Sequence, residues 1–248
     1  MSSSDSIPVS PAQLALHVAG RNTAEAIRLL QQLVDDGNIE ACLLLGQLYL
    51  DGRDLPPQEM LAVALFQKAA HAGNAMGLNM LGRCHEHGWG IEKYAQQAAH
   101  CYQQASQLGL DWGHYNWANL LATGRGVAQN QAQAFALYLK AAHAGHAKSM
   151  NLVGRYYQEG IAVIADEKTA AEWYLRSAQA GDFRGQISLA GVLVEQGQLA
   201  EALAWLKKAI QTGNAAALSK LYPDLLKMPH AEFRELAAVI QKKLGISA

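Results

Sequence analysis

Apolar side chains recur along this chain at spacings of three and four. Ala62, Leu65, Phe66 and Ala69 illustrate the set, which falls on one face of a helix. The same set returns further on with a fixed step. Ala62, Ala98, Ala134 and Ala170 form one column, and Leu65, Cys101, Leu137 and Trp173 a second. Phe66, Tyr102, Tyr138 and Tyr174 form a third, and every step is 36 residues. The glycines keep the same count. Gly37, Gly73, Gly109, Gly145 and Gly181 are 36 apart, as are Gly52, Gly88, Gly124 and Gly160. A column of small residues, Gly46, Gly82, Ala118, Gly154 and Ala190, runs between the two ladders. The hexapeptide KAAHAG stands verbatim at 68–73 and 140–145.

A fixed period of this length marks a stack of supersecondary units. Each unit reads as two helices. The first, for example Ala41–Leu50, stops at a glycine suited to a left-handed helix end. A short loop such as Gly124-Arg125-Gly126-Val127 follows, with Val127 turned inward; Leu55, Ile91 and Val163 are its equivalents. The second helix starts after a cap such as Asn130 or Asp166 and ends at Ala-Gly. The small column lets two helices cross closely, with the large residues of the next column filling the space beside it. The predicted fold is all-α, an α/α solenoid of stacked antiparallel helix pairs with about 14 helices. Residues 1–9 are expected to be disordered, with one helical-repeat domain over 10–248. Within it, 10–37 is a divergent first pair, with Ser10 and Pro11 as a helix start and helices over 11–19 and 23–36. Residues 38–213 hold five regular repeats, and 214–248 a half-repeat and a capping helix. The fifth repeat is four residues shorter, Gly181 to Gly213, and its inter-helix loop shrinks around Gln196-Gly197-Gln198. The half-repeat starts at Asn214 and is expected to stop near Pro223, and Pro229–Leu244 reads as the amphipathic cap.

Composition narrows the function. Half the residues are apolar, and 20 basic against 21 acidic residues leave a net charge of −1. That balance gives no general pull toward nucleic acid. No apolar run approaches the roughly 20 residues of a membrane span, and the N-terminus lacks a secretory pattern. Three cysteines, Cys42, Cys84 and Cys101, do not make a disulfide framework. A cytoplasmic location is the simplest expectation.

The columns resemble the Sel-1-like repeats, relatives of the tetratricopeptide repeats. The resemblance rests on Ala41, Leu45-Gly46, Tyr49 and Gly52, and on Gly124-Arg125-Gly126-Val127, Tyr138, Ala141-Ala142 and Gly145, and it covers about residues 38–213. It implies a scaffold that binds other proteins, with no cofactor. Some secreted relatives carry one disulfide per repeat; here Ala70 and Leu78, or Ala142 and Met150, stand where those thiols would be.

By analogy with tetratricopeptide stacks, the first helix of each pair lines the inner surface. The inward columns then hold Met76, Asn79, Arg83 and Glu86, then Trp112, Tyr115, Asn119 and Ala122. Lys148, Asn151, Arg155 and Gln158 follow, and then Arg184, Ile187, Gly191 and Val194; Glu40, Leu43, Gln47 and Leu50 belong to the first repeat. Arginine forks suit carboxylates, asparagine can bond an extended peptide backbone, and aromatics supply rigid contact area. The expected ligand is a protein or an extended peptide, acidic or C-terminal, held by Met76, Asn79, Arg83, Trp112, Tyr115, Asn119, Lys148, Asn151, Arg155 and Arg184. The competing readings are an ordinary solvated face, a weak hydrolase or an enzyme's accessory subunit, and a self-associating structural protein. Oligomeric state is left open.

Other candidates fall to the column test. Cys84-His85-Glu86-His87 looks metal-like, but Cys84 is equivalent to Leu48 and Leu120, so it belongs to the core. His87 is equivalent to Asp51 and Thr123, a helix-end surface position. Cys101 takes the place of Leu65 and Leu137, and His71 and His143 fall at exposed helix ends. No catalytic triad and no phosphate-cradling loop stand out. Trp89, in an inter-helix loop, is expected to be exposed and to mark a second contact.

Overall fold

A computed structural model describes residues 23–52 and 56–246. Among these residues there are 13 helices and no strand. They are α1 (Thr23–Asp35), α2 (Ile39–Asp51), α3 (Glu59–His71), α4 (Ala75–His87), α5 (Ala95–Gln107) and α6 (Asp111–Thr123). Then come α7 (Gln131–His143), α8 (Ala147–Glu159), α9 (Glu167–Gln179), α10 (Phe183–Glu195), α11 (Leu199–Thr212), α12 (Ala215–Lys227) and α13 (Ala231–Leu244). The expected disordered terminus, the helix over 11–19 with its start at Ser10 and Pro11, and the inward placement of Leu55 lie outside the described residues. The helices form two compact units that divide after Gln129.

The repeat turns have one design. Up to α9, each second helix ends at a glycine of positive φ, and the residue after it closes a bond back five positions. Asn74 N donates to Ala69 O at 3.1 Å, and Asp182 N to Ser177 O at 3.1 Å. Except at Leu110, which has no capping side chain, that same residue then caps the next helix. The Asn74 side chain accepts from Gly77 N at 2.9 Å, and Asp182 from Gly185 N at 3.2 Å. Two residues thus finish one helix and start another. Asn130 and Asp166 cap α7 and α9 as the sequence predicts.

In the first unit, α2 and α3 pack through Phe66, whose ring lies where a Cβ on Gly46 would be, 2.6 Å from its Cε1. Tyr102 covers Gly82 in the same way in the next pair. A second small crossing had not been read from the sequence. Gly77 lies on Ala69 and Gly113 on Ala105, joining each first helix to the helix before it. Val127, Ile91 and Val163 are half-buried, and Ile91 packs against the Ala62–Phe66 cluster.

In the second unit, Tyr174 covers Gly154, while Ala190 faces a core that contains Leu206. The terminal helix α13 buries Phe233, Leu236, Ala237 and Ile240 in that core, together with Leu218 and Leu225. It covers the end as a cap should. Its Lys243 also donates to Ile210 O at 2.6 Å and Gln211 O at 3.0 Å, satisfying the last carbonyls of α11. Gly213 therefore does not repeat the turn glycine's role; its φ is −64°.

One boundary is corrected. The half-repeat helix does not stop near Pro223 but runs to Lys227. Leu221 and Leu225, four residues apart on either side of the proline, are both buried. Their shared apolar face outweighs the one backbone bond that proline removes.

Candidate functional site

The residues expected to face a ligand lie on first helices in each unit, and each unit is described separately. In the first unit α4 carries Met76, Asn79, Arg83 and Glu86. Asn79 is buried, and its Oδ1 accepts from Asn116 Nδ2 of α6 at 2.8 Å. That carboxamide oxygen ties two first helices together. Arg83 is half-buried, its guanidinium 5.0 Å from the Trp89 ring centroid. Trp89 itself is half-buried, with His87 stacked on it at 4.5 Å. The expectation of an exposed Trp89 is therefore corrected: the cation and the imidazole hold the indole against the stack. Met76 and Asn119 are half-buried, and Trp112, partly exposed, meets Tyr115 edge-on at 6.1 Å.

Glu86 accepts from the Tyr102 hydroxyl at 2.7 Å and pairs with Arg125 at 2.9 Å. Burial, together with the neighbouring Glu86 carboxylate, pushes the Tyr102 phenol far up, so it remains a donor. The arrangement repeats in the second unit, where Tyr174 OH donates to Gln158 Oε1 at 2.6 Å. The sequence holds a signal for these pairs. The residue 16 before is Glu86 for Tyr102 and Gln158 for Tyr174, but Leu50 for Phe66 and Ala122 for Tyr138. A polar partner accompanies two of the three hydroxyls, and the phenyl ring has an apolar one.

In the second unit α8 carries Lys148, Asn151, Arg155 and Gln158, and α10 carries Arg184, Ile187, Gly191 and Val194. Asn151 is buried, and its Oδ1 accepts from Ser188 Oγ of α10 at 3.0 Å, the same tie as in the first unit. Lys148 is half-buried. Arg155 and Arg184 are exposed. Arg155 lies 4.0 Å from Glu159, and Arg184 lies 3.7 Å from Asp182 and over the Phe183 ring at 4.6 Å. The Arg155 pair is exposed on both sides and holds its arginine only weakly, whereas the Asp182 carboxylate facing Arg184 is buried. Between α10 and α12 there is a cavity of about 400 Å³ lined by Arg184, Ile187, Lys220 and Leu221. This face joins two cations and one carboxylate, Asp224, to an apolar floor.

The sulfur chemistry is closed. Cys42, Cys84 and Cys101 are free and buried. Burial pushes the Cys84 and Cys101 thiols up to about 11, so neither forms a ready thiolate. Among the described residues no group of three or more His, Cys, Asp or Glu side chains could hold a metal ion. No helix among them is long and apolar enough to cross a membrane.

A family model for the Sel1 repeat matches residues 39–74, 75–110, 113–146, 147–182 and 185–214. The chain belongs to the Sel1 repeat family. Each match ends at the residue before a first helix; three begin at the first residue of one, and two begin two residues into one. Sel1 repeats generally mediate protein–protein interactions and form non-catalytic scaffolds. No curated protein matches the sequence. Solved structures match it. A Sel1 repeat protein from Oxalobacter formigenes shares 23% identity at a TM-score of 0.79, over 94% of this chain and 99% of that one. The protective antigen c5321 of uropathogenic Escherichia coli shares 24% identity at a TM-score of 0.70, over 96% of this chain and 53% of that one. The immunity protein Pa5087 from Pseudomonas aeruginosa shares 18% identity at a TM-score of 0.58, over 83% of this chain and 80% of that one. At these identities the likeness concerns the fold.

Proposed function

We propose that this Sel1 repeat chain is a non-enzymatic adaptor that holds an extended, acidic or C-terminal protein segment on the inner face of its first helices. The observation that carries the reading is exposed Arg184 beside the apolar floor formed by Ile187 and Leu221, with a second exposed arginine, Arg155, on the preceding first helix. A carboxylate would meet the guanidinium forks while apolar side chains settle between α10 and α12. Asn79 and Asn151 serve this face by fixing the helix spacing. Asn119, Trp112, Tyr115, Met76 and Arg83 form the corresponding surface of the first unit. The buried reduced thiols suit a reducing compartment, and the cytoplasm is the proposed location.

The test is a double charge reversal, Arg155→Glu with Arg184→Glu. Both side chains are exposed, so the thermal midpoint should stay put. Partners captured from the native cell by the parent protein should be lost from the variant. Capture that survives the reversal would end the reading.

A further inference from the structure

The regular inter-helix loops do more than connect. In the first unit the loops that contain Gly90 and Gly126 lie on the first turn of the second helix of the preceding pair. Gly90 N donates to Glu59 Oε2 at 2.9 Å, and Gly90 sits so close to the Glu59 carbonyl that a Cβ would fall 2.4 Å from it. Gly126 lies on Ala95 in the same way. Trp89 and Ile91 of the first of these loops pack on the core of α3.

In the second unit the fifth repeat has lost this cover. Its loop is only Gln196-Gly197-Gln198, four residues shorter than residues 160–166. The first turn of α9 begins at Glu167, the equivalent of Glu59 at three repeat steps. Above it lies a cavity of about 670 Å³. Its floor includes Leu189 and Leu193, and its rim carries Glu167, Glu172 and Glu195 against the single base Lys168. Leu175 is 38% exposed beside it. The comparable space in the second repeat, roofed by Arg83 and Trp89, is about 220 Å³.

We propose that this cavity is a docking site for a glycine-containing tight turn of a partner protein, a turn that bears one aliphatic side chain and one basic residue. The chain itself shows what covers the equivalent surface: a turn whose backbone N–H meets the helix-start carboxylate and whose aliphatic side chain packs below. The three rim acids add the preference for a base. Neither Arg155 nor Arg184 lines it, and Gln158 is the member of the inner columns that reaches it.

The probe is an end-blocked peptide with the sequence of residues 123–130, TGRGVAQN, which has one arginine and no acid. Titrated into the full chain and followed by calorimetry or NMR, it should bind saturably. Binding should weaken by at least about tenfold in the double variant Glu167→Lys, Glu195→Lys, whose changes are on exposed side chains. A second variant replaces residues 196–198 with the seven-residue sequence of 124–130. It should abolish peptide binding and raise the thermal midpoint, because the cavity is then filled within the chain. Absence of saturable binding to the parent, or binding unmoved by either variant, would overturn the proposal. A two-chain mass in solution that falls to one chain in the grafted variant would overturn it in favour of a second copy of this protein.

Discussion

Two glycines in the second unit provide a test of why small residues recur at fixed positions. Gly154 lies inside α8 and Gly191 inside α10. An alanine Cβ at 154 would fall 2.6 Å from Tyr174 Cε1, 2.7 Å from its Cδ1 and 3.1 Å from Ala170 O. The ring has little room to yield. It is 2% exposed, and its hydroxyl is held by Gln158. At Gly191 nothing lies within 4 Å of the added methyl. Replacing a mid-helix glycine by alanine gains about 1 kcal/mol of helix propensity at either site. Overpacking at 154 costs about 1–3 kcal/mol. Gly191→Ala should therefore stabilise by about 1 kcal/mol, and Gly154→Ala should be neutral to destabilising by up to about 2 kcal/mol. The difference between them isolates the packing cost. Tyr174→Leu should restore part of the loss in the Gly154→Ala background, since Ala190 and Leu206 already coexist in one core. Urea melts followed by far-ultraviolet circular dichroism give the global effect. Native-state hydrogen exchange of the α8 amides localises it, which matters in a stack whose repeats need not unfold together. If Gly154→Ala stabilises as much as Gly191→Ala, the close crossing of ring and backbone is not what the small column provides.

Two further outcomes follow from backbone and sulfur. Ala162 stands 36 residues after Gly126 and adopts a φ of 58°, so Ala162→Gly should relieve about 1 kcal/mol of left-handed strain, offset in part by unfolded-state entropy; a thermal midpoint below the parent's would refute the strain. The Cys84 and Cys101 thiols are pushed from 9.0 to about 11 by burial, so the folded chain keeps protons that the unfolded chain gives up. Stability is then unaffected by these groups below pH 9 and falls as pH rises from about 9 to 11. The Cys84→Ala, Cys101→Ala variant should show a shallower alkaline decline in urea midpoint, and an unchanged slope would refute the assignment.

The fold was legible because its causes are local and repeated. Glycine at a helix end, a capping Asn or Asp and a small crossing residue each act over a few positions, so the 36-residue step exposes them directly. Pro223 misled because the local cost of a proline is visible in sequence, whereas the burial of Leu221 and Leu225 is tertiary. The face of the first helices was legible only as a set of columns. Column arithmetic places Asn79 on a surface but cannot show that Asn116, 37 residues later, has taken its oxygen. Likewise Trp89 looked free because its partners, Arg83 and His87, belong to the helix before the loop.

The departures from the repeat carry more functional information than the repeat itself. Where the columns hold, side chains are committed to neighbours: Phe66 to Gly46, Tyr102 to Glu86, Asn151 to Ser188. Where they fail, commitments lapse. The fifth repeat replaces the arginine of its inner column with Gly191, shortens its loop to three residues, and leaves a cavity rimmed by Glu167 and Glu195. A scaffold under selection for packing alone would gain from alanine at 191, since the methyl meets nothing and the helix favours it. Retaining glycine there keeps the α10 backbone open to close approach. A ligand seated on that backbone would make Gly191→Ala stabilising yet weaken binding, so stability and partner affinity must be measured on the same variant.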